Sequence, residues 1–526
     1  MLARCSSAAL RGLEAREVTV EVDIGPGLPA LQMVGLADAA VQESRERVRS
    51  ALRHSGFRVP LSRVVVNLAP ADLRKEGPGL DLPIALGLLL ASGQLAPSAL
   101  EGAWSAGELG LDGRLRPIRG LLCIAMEARR RGARALLVPA ANAGEAALVS
   151  GLRVWGATDL RSAVAQLQGA EPPLTPPARQ PARPPRLSST DLADVQGQPH
   201  GRRALEIAAA GEHHLLLVGP PGSGKTMLAR RLAGLLPPLM PHQALELTRV
   251  HSVAGLLGEG EGLLQERPFR SPHHSCSGAA LIGGGAIPRP GELALAHHGV
   301  LFLDELAEFR REVLDLLRQP LEQGEIWIHR ARQRTRFPAA ICLVAATNPC
   351  SCGWFGDPDR ECSCGEAARR RYWNRLSGPL LDRIDLQVVM RRPEASTLSA
   401  GYRGIPTRQP ETTAIVAERV RQAHRRMIRR NPAGLSNGQL PARELQRVLQ
   451  LEAAAVDLWE GALRQRQLTA RGGERLLRVA QTICDLEARD RIAPADVAEA
   501  LTYRSFDRLE DGPAAQGTGA AQRAER

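Results

Sequence analysis

A glycine-rich loop between an apolar run and a helical pattern carries the clearest chemical signal in the sequence. The apolar run occupies residues 215–218, and the helical pattern begins at Met227. The eight residues between them are Gly219, Pro220, Pro221, Gly222, Ser223, Gly224, Lys225 and Thr226. Glycines let backbone N–H groups turn inward at the positive end of a helix, which is the environment that a polyphosphate needs. The loop is therefore predicted to bind ATP, with Lys225 on the β- and γ-phosphates and the Thr226 hydroxyl on Mg²⁺.

The composition of the chain makes the lysine of this loop unusual. Lysine and arginine together number 68, and only Lys75 and Lys225 are lysines. A compact ammonium fits inside a phosphate loop where a planar guanidinium does not. The alternative is a strand-to-helix turn that binds nothing, but it does not explain why all eight positions and both flanks agree.

Two acidic residues follow a second apolar run. The run covers residues 299–303 and ends at Asp304 and Glu305. A parallel strand that is buried on both faces consists almost entirely of apolar residues. In open α/β sheets, ligands bind at the carboxyl ends of such strands. Asp304 is thus placed to hold the water shell of Mg²⁺, and Glu305 to polarise the water that attacks the γ-phosphate. An ordinary strand end is the alternative, and the preceding phosphate loop argues against it.

Four of the nine cysteines lie close together, as two Cys-x-Cys pairs. They are Cys350, Cys352, Cys362 and Cys364. Four thiolates can form a tetrahedral zinc site, although the spacing within each pair is tighter than usual. The sequence leaves structural zinc and free thiols as alternatives. Adjacent histidines at 273–274 and 297–298 could also suggest a metal, but packing or turn roles are favoured for them.

The elements that position these residues require more than one core, because the chain has 526 residues. Residues 1–168 mix strand and helix patterns, and residues 169–188 form a proline-rich linker that cannot bury a core. Residues 189–392 predict an α/β core with a parallel sheet and helices on both faces. Residues 393–507 are helical, and residues 508–526 have the composition of a disordered tail.

The charge of the chain favours a polyanionic partner. The formal net charge is +12, and aromatic residues make up only 3%. Contacts with nucleic acid should therefore depend on arginine and phosphate more than on stacking. No apolar run reaches the length of a membrane span, and the amino terminus has no signal pattern, so we expect a cytoplasmic protein without membrane contacts.

A basic stretch between the acids and the third apolar run alternates like a β-hairpin. It covers residues 325–337 and includes Arg330, Arg332 and Arg334. These arginines could bind the phosphates of DNA. A solvated strand face is the alternative, and the sequence does not decide between the two.

These motifs together resemble the ComM/YifB family of magnesium-chelatase-like AAA+ ATPases over nearly the whole chain. The resemblance implies that Asn348, after the apolar run 341–347, is sensor 1, which helps to orient the attacking water. A turn-initiating asparagine before Pro349 is the alternative. It also implies that Arg383 is the arginine finger reaching a neighbouring subunit, and that Arg471 is sensor 2, bridging nucleotide and lid. The alternatives are a helix-end arginine in a salt bridge for Arg383 and a solvent-facing arginine for Arg471. An arginine finger requires a ring, for which we expect a hexamer.

The first 168 residues resemble the amino-terminal domain of the same family, which is similar to the Lon protease domain and to the second domain of ribosomal protein S5. The segments that carry this likeness are residues 27–29, 34–36, 43–48 and 66–77. Lon-type peptidases use a serine and a lysine. Alignment places Gly79 at the serine position and Leu122 at the lysine position, and neither can do that chemistry. We therefore expect a scaffold that is not a peptidase.

The function that the resemblance implies is an ATP-driven DNA motor, a helicase that performs branch migration in recombination and natural transformation. One rival is a magnesium-chelatase motor, but that class lacks the Lon-like domain and no porphyrin-binding part is encoded here, so no porphyrin is expected. The other rival is a chaperone-like ATPase that remodels a protein substrate. Stimulation of ATP hydrolysis by branched DNA would distinguish the DNA motor from both alternatives.

Overall fold

The computed structural model describes residues 2–172, 174, 191–258, 260–285, 288–330, 333–394 and 410–504. Most of the predicted linker at 169–188 and the predicted tail at 508–526 lie outside these residues. All structural statements below concern the described part of the chain.

The amino-terminal part is a mixed sheet with helices packed against it. Its elements are β1 (Leu2–Arg11), β2 (Glu14–Gly25), β3 (Ala30–Val34), α1 (Ala39–His54), β4 (Arg63–Ala69), α2 (Asp81–Ala91), β5 (Ala103–Ser105), β6 (Glu108–Leu109), β7 (Leu115–Arg116), α3 (Leu121–Arg130), β8 (Ala135–Pro139), α4 (Ala143–Ala146), β9 (Arg153–Ala157) and α5 (Leu160–Leu167). Seven of these strands form one sheet in the order β3-β4-β2-β1-β5-β8-β9.

Alternating apolar residues explain how this sheet buries one face. Val18, Val20 and Val22 of β2 are fully buried, as expected for side chains two residues apart on a strand. Helix α2 is buried along its whole length, and a Cβ on its Gly87 would lie 2.7 Å from the Val22 side chain. The helix therefore packs on the sheet at a distance that only glycine permits.

The core that contains the phosphate loop follows. Its elements are α6 (Pro199–Gly211), β10 (Leu215–Val218), α7 (Lys225–Leu235), α8 (Pro241–Ala254), β11 (Phe269–Arg270), α9 (Gly278–Ile282), β12 (Gly283–Gly284), β13 (Arg289–Pro290), α10 (Glu292–Leu295), β14 (Val300–Leu303), α11 (Arg311–Asp315), α12 (Arg318–Gln323), β15 (Glu325–Arg330), β16 (Gln333–Pro338), β17 (Cys342–Thr347), α13 (Glu366–Trp373), α14 (Gly378–Leu381) and β18 (Leu386–Val389).

Five strands of this core form a parallel sheet in the order β11-β14-β17-β10-β18. The three apolar runs of the sequence are β10, β14 and β17, and every residue of these strands is buried. In register, Val218 pairs with Thr347 and Leu303 pairs with Ala345. The phosphate loop, the two acids and Asn348 therefore leave the sheet at the same edge, which confirms the predicted α/β core.

The basic stretch forms the hairpin that its alternation predicts. Strands β15 and β16 are antiparallel, with Ile326 opposite Phe337 and Ile328 opposite Thr335. Those four residues are buried and anchor the hairpin in the core.

Five helices make up the carboxyl-terminal part. They are α15 (Thr413–Arg430), α16 (Ala442–Val448), α17 (Ala453–Arg466), α18 (Ala470–Leu486) and α19 (Pro494–Thr502). Helices α15 and α18 both pack against α6. Among the described residues, no helix combines the length and the apolar composition needed to cross a membrane.

The amino-terminal part also contacts the ATPase core directly. Helix α3 packs against α8, and the Gly120 N–H donates to the Ser252 carbonyl at 3.0 Å. The buried Glu145 accepts hydrogen bonds from the Ser252 hydroxyl and from the Leu122 N–H. Burial raises the pKa of Glu145, and these hydrogen bonds oppose that rise.

Candidate nucleotide-binding site

The phosphate loop has the backbone conformation that its glycines predict. Gly222 and Gly224 have φ of 78° and 88°, which is the left-handed region that glycine adopts without a Cβ penalty. Gly224 precedes α7, so that the first turn of that helix starts at Lys225. The loop therefore places a helix amino terminus beneath the position predicted for the phosphates.

The ammonium group of Lys225 lies inside the loop. Its Nζ donates to the carbonyl oxygens of Gly219 at 2.6 Å and Pro220 at 2.9 Å, and to Asn348 Oδ1 at 3.2 Å. Burial lowers the pKa of Lys225 to about 8, although the carboxylates of Asp304 and Glu305 oppose that change. Phosphate oxygens are stronger acceptors than carbonyls, so the ammonium can exchange these neutral partners for a nucleotide.

The two predicted magnesium ligands lie side by side. Thr226 Oγ1 donates to Asp304 Oδ2 at 2.8 Å, and the other oxygen of Asp304 accepts from the Glu305 N–H at 3.0 Å. A hydroxyl and a carboxylate are oxygen ligands of the kind that Mg²⁺ takes together with waters and phosphates. The residues present therefore fit the cation that the sequence predicts.

The second acid has an unusual backbone conformation and an unforeseen partner. Glu305 has φ of 52°, a strained value for a residue with a side chain. Its Oε2 lies 3.2 Å from His274 Nδ1, and both side chains are partly exposed. In the sequence His274 is only one member of a histidine pair, and the fold is what brings it to this acid.

Asn348 directly follows strand β17 and contacts the phosphate loop through Lys225. In addition to accepting from Lys225, it follows Thr347, whose hydroxyl lies 3.0 Å from the Tyr372 hydroxyl. The Trp373 indole donates to the Pro349 carbonyl at 3.0 Å. Helix α13 thus fixes the end of β17 and the position of the asparagine.

The segment before α6 reaches the same loop. Gln198 is buried, and its Nε2 donates to the carbonyls of Ser223 at 3.0 Å and Arg391 at 2.5 Å. A cavity of about 70 Å³ beside Gly219 and Pro220 is bordered by Phe355. These residues link the loop to the chain after β18.

The two predicted arginines lie together, on one carboxylate. Arg383 Nη2 lies 2.5 Å from Glu322 Oε1, and Arg471 Nη1 lies 3.3 Å from the same oxygen. Glu322 belongs to α12 and had no signal in the sequence. Arg471 therefore lies beside Arg383, and the sensor 2 role that the resemblance implies for it stays a prediction.

The four clustered cysteines converge on one point. Cys350 Sγ lies 3.3 Å from Cys352 Sγ and 3.6 Å from Cys362 Sγ, and Cys352 Sγ lies 3.5 Å from Cys362 Sγ. With Cys364, all four sulfurs lie within 4.8 Å of one another. A tetrahedron with zinc–sulfur bonds of about 2.3 Å has sulfur–sulfur edges of roughly 3.8 Å. Small shifts of the sulfurs would therefore bring them to the spacing of a zinc site.

The hairpin arginines are only partly described. Arg334 is exposed, and its guanidinium carbon lies 4.0 Å from the centroid of the Trp327 ring. Arg332 and the side chain of Arg330 lie outside the described residues.

The second histidine pair has a structural explanation that excludes metal binding at His297. His298 Nε2 and His297 Nε2 lie 2.9 Å and 3.4 Å from Glu246 Oε2. His297 Nδ1 accepts the Ala340 N–H at 3.1 Å, so its proton must be on Nε2. A histidine that binds a metal through one ring nitrogen carries its proton on the other nitrogen and donates from it. Nδ1 of His297 accepts a hydrogen bond instead, so Nε2 is not free to bind a metal. Burial lowers the pKa of His297 to about 4, which keeps this ring neutral.

Three family profiles match the chain. The profile described as "Magnesium chelatase, subunit ChlI" matches residues 191–398. "Subunit ChlI of Mg-chelatase" matches residues 20–142, and "Magnesium chelatase, subunit ChlI C-terminal" matches residues 410–504. Together with the parallel sheet and the phosphate loop, these matches define an AAA+ ATPase of the magnesium-chelatase type, a class that uses ATP and Mg²⁺.

Several relatives match almost from end to end. "Uncharacterized protein YifB" of Salmonella typhimurium is 45% identical over 508 residues, which cover 97% of this chain and 98% of the relative. "Competence protein ComM" of Haemophilus influenzae is 45% identical over 512 residues, again 97% and 98% of the two chains. The chain therefore belongs to the ComM/YifB family.

Two more distant relatives match part of the chain. "Probable DNA helicase MCM9" of Arabidopsis thaliana is 28% identical over 210 residues, 40% of this chain and 25% of that protein. "Lon protease 2" of Bacillus subtilis is 29% identical over 169 residues, 30% of each chain. The second match agrees with the predicted Lon-like fold class.

Proposed function

We propose that this protein is a ring-forming DNA motor that uses ATP hydrolysis to migrate branched DNA in recombination and natural transformation. The observation that carries the proposal is the hairpin β15–β16, which leaves the same core as the ATP site and presents Arg334 on Trp327. Because the basic hairpin is attached to the ATPase core, conformational changes during ATP hydrolysis can move the residues that bind a polyanion such as DNA.

The names of the relatives agree with this proposal. One near-full-length relative is called a competence protein, and a partial relative is called a probable DNA helicase. The net charge of +12 provides a general attraction for DNA as well.

The site residues suggest how hydrolysis proceeds. Lys225 and the loop N–H groups would bind the β- and γ-phosphates, and Thr226 and Asp304 would hold Mg²⁺, which would neutralise phosphate charge. Glu305 accepts a proton from the attacking water, and Asn348 orients that water. His274 contacts one oxygen of Glu305, Oε2, and this contact leaves Oε1 to face the water.

Completion of the site requires a second subunit. Arg383 lies on Glu322 of its own chain, and in a ring we propose that it reaches the γ-phosphate of the neighbour and stabilises the charge of the transition state. Arg471 shares Glu322, which suggests that it acts at the same subunit boundary. A hexamer is the proposed ring.

We also propose the domain boundaries derived from the sequence, with residues 1–168 as a scaffold that lacks peptidase activity. Gly79 and Leu122 stand where a peptidase would need a nucleophile and a base. Leu122 is fully buried in α3, so this position serves packing.

The proposal is tested by measuring ATP hydrolysis with forked, four-way, single-stranded and duplex DNA. We expect forked and four-way DNA to stimulate hydrolysis several-fold over the basal rate. Lys225→Ala should abolish both rates, because the phosphate charge loses its buried partner. Robust basal hydrolysis that no DNA stimulates would reject the DNA motor and favour a protein remodeller or a chelatase-type motor.

A further inference from the structure

The turn between β1 and β2 packs directly against the hairpin β15–β16. Gly12 lies in this turn with φ of 63°, and a Cβ there would lie 2.4 Å from Cγ2 of Thr335. Any other residue at this position would collide with the hairpin. Arg249 of α8 joins the contact, since its Nη2 donates to the Leu13 carbonyl at 2.9 Å.

A groove of about 540 Å³ lies where the turn, the hairpin and α8 meet. Five arginines and one indole contribute to its lining, from five different elements. They are Arg11, Arg16, Arg249, Arg334, Arg336 and Trp327.

The acids in the groove do not cancel its positive charge. The two that line it are Glu14 and Glu246. Glu246 keeps its negative charge, because the His297 ring beside it is neutral, and Glu14 lies 3.8 Å from Arg16 in an exposed pair, which is weak in water. A third carboxylate, Glu325, lies on the groove residue Arg336. The five arginines of the groove outnumber these three carboxylates, so the groove keeps an excess of positive charge. Among the described residues, no carboxylate oxygen lies within 4 Å of the guanidinium of Arg11 or Arg334.

The aromatic ring in the groove is held in a fixed position. Trp327 Nε1 donates to Glu325 Oε1 at 2.6 Å, and the other oxygen of Glu325 lies 2.5 Å from Arg336 Nε. Arg334 covers the ring at 4.0 Å. A fixed indole with a stacked guanidinium is a flat platform of the kind on which nucleic-acid bases stack.

We propose that this groove, formed by the β1–β2 turn and the hairpin together, binds single-stranded DNA and extends the DNA path from the hairpin onto the amino-terminal sheet. The inference rests on the proposed DNA motor and adds a second contact surface to it. Arg11 and Arg16 pair with backbone phosphates, while a base stacks on the Trp327–Arg334 platform. An acidic peptide would use only the positive charges of the groove. Single-stranded DNA would use both the charges, through its phosphates, and the flat platform, through a stacked base.

The test compares two double variants of the full chain. Arg11→Ala with Arg16→Ala removes two groove cations, and Arg58→Ala with Arg161→Ala removes two exposed arginines of the same amino-terminal part outside the groove. Binding of a fluorescein-labelled single-stranded oligonucleotide is followed by anisotropy at several salt concentrations, with a non-hydrolysable ATP analogue present. Loss of two phosphate contacts should reduce the slope of log affinity against log salt by about 1.4. The control variant should keep the wild-type slope.

The outcomes separate this inference from the proposed function. If wild type binds DNA and the groove variant keeps the slope of the control, the groove inference is wrong and the motor stands. If wild type itself neither binds DNA nor is stimulated by it, the proposed function is wrong as well. Trp327→Ala should bind roughly tenfold more weakly, and unchanged affinity would remove the stacking role. Equal binding of a poly-glutamate peptide of the same charge would assign the groove to an acidic protein instead.

Discussion

At the residue scale, we expect the ionisation of the Lys225 ammonium to control nucleotide binding. Without a ligand it donates to two carbonyls and one amide oxygen, and its pKa is lowered to about 8. A triphosphate favours the charged form, so binding raises this pKa. Below pH 8 the lysine is already protonated, whereas above pH 8 binding must also take up a proton.

We predict that the dissociation constant for ATP stays level from pH 7 to 8 and then rises by up to about tenfold per pH unit. Titration calorimetry in buffers of different ionisation enthalpy should show proton uptake only in the upper range. Lys225→Arg is the control, because a guanidinium stays charged throughout; its weaker binding should not change with pH over this range. Wild-type affinity that is level up to pH 9.5 would contradict the prediction.

The residues of this site differ in how far the sequence could predict them. The loop, Asp304 and Asn348 follow three apolar runs, and the ends of parallel strands meet at one edge of a sheet, so their proximity could be predicted. Glu322 could not, because it precedes Arg383 by 61 residues and Arg471 by 149 residues. Only the fold shows that one carboxylate joins the two arginines, and that His274 contacts Glu305.

At the scale of elements, the cysteine loop supports the phosphate loop. A Cβ on Gly353, which has φ of 86°, would lie 2.9 Å from the Pro221 side chain. The loop between the cysteine pairs also supplies Phe355 to the cavity beside Gly219. A metal that fixes the cysteines would therefore also fix one wall of the nucleotide site.

We propose that these thiols bind structural zinc, and we predict about one equivalent of zinc in the purified protein. Cys350→Ser should lose most of the metal and bind ATP more weakly, because the wall beside Pro221 is no longer held. Cys276→Ser changes a cysteine outside the cluster and should keep both properties. Metal content is measured by mass spectrometry; less than about half an equivalent in wild type would reject zinc.

Sequence periodicity predicted the hairpin but not its surroundings. Alternation at residues 325–337 shows which side chains share a face. It cannot show that Gly12, more than three hundred residues earlier in the chain, packs on Thr335. Packing between distant elements depends on complementary shape, and a single sequence carries no signal for that.

At the scale of the whole molecule, each ATP site is expected to be divided between two subunits. The described chain contributes Lys225, Asp304 and Asn348 to one site, and its Arg383 lies on Glu322. We expect this arginine to serve the site of a neighbouring subunit. Lys225→Ala and Arg383→Ala should each remove activity from a ring of identical subunits.

Mixing the two variants distinguishes a shared site from two independent defects. A Lys225→Ala subunit still has Arg383, and an Arg383→Ala subunit still has an intact phosphate loop. When the first subunit places its arginine at the phosphate loop of the second, the ATP site between them is intact. Random mixing in equal amounts should restore about a quarter of the wild-type rate, because one in four boundaries combines both intact halves. Energy transfer between labelled subunits confirms exchange, and either variant mixed with itself is the control. Exchanged rings that stay inactive would show that Arg383 serves its own subunit or only the fold, in which case ATP hydrolysis would not couple neighbouring subunits through this arginine.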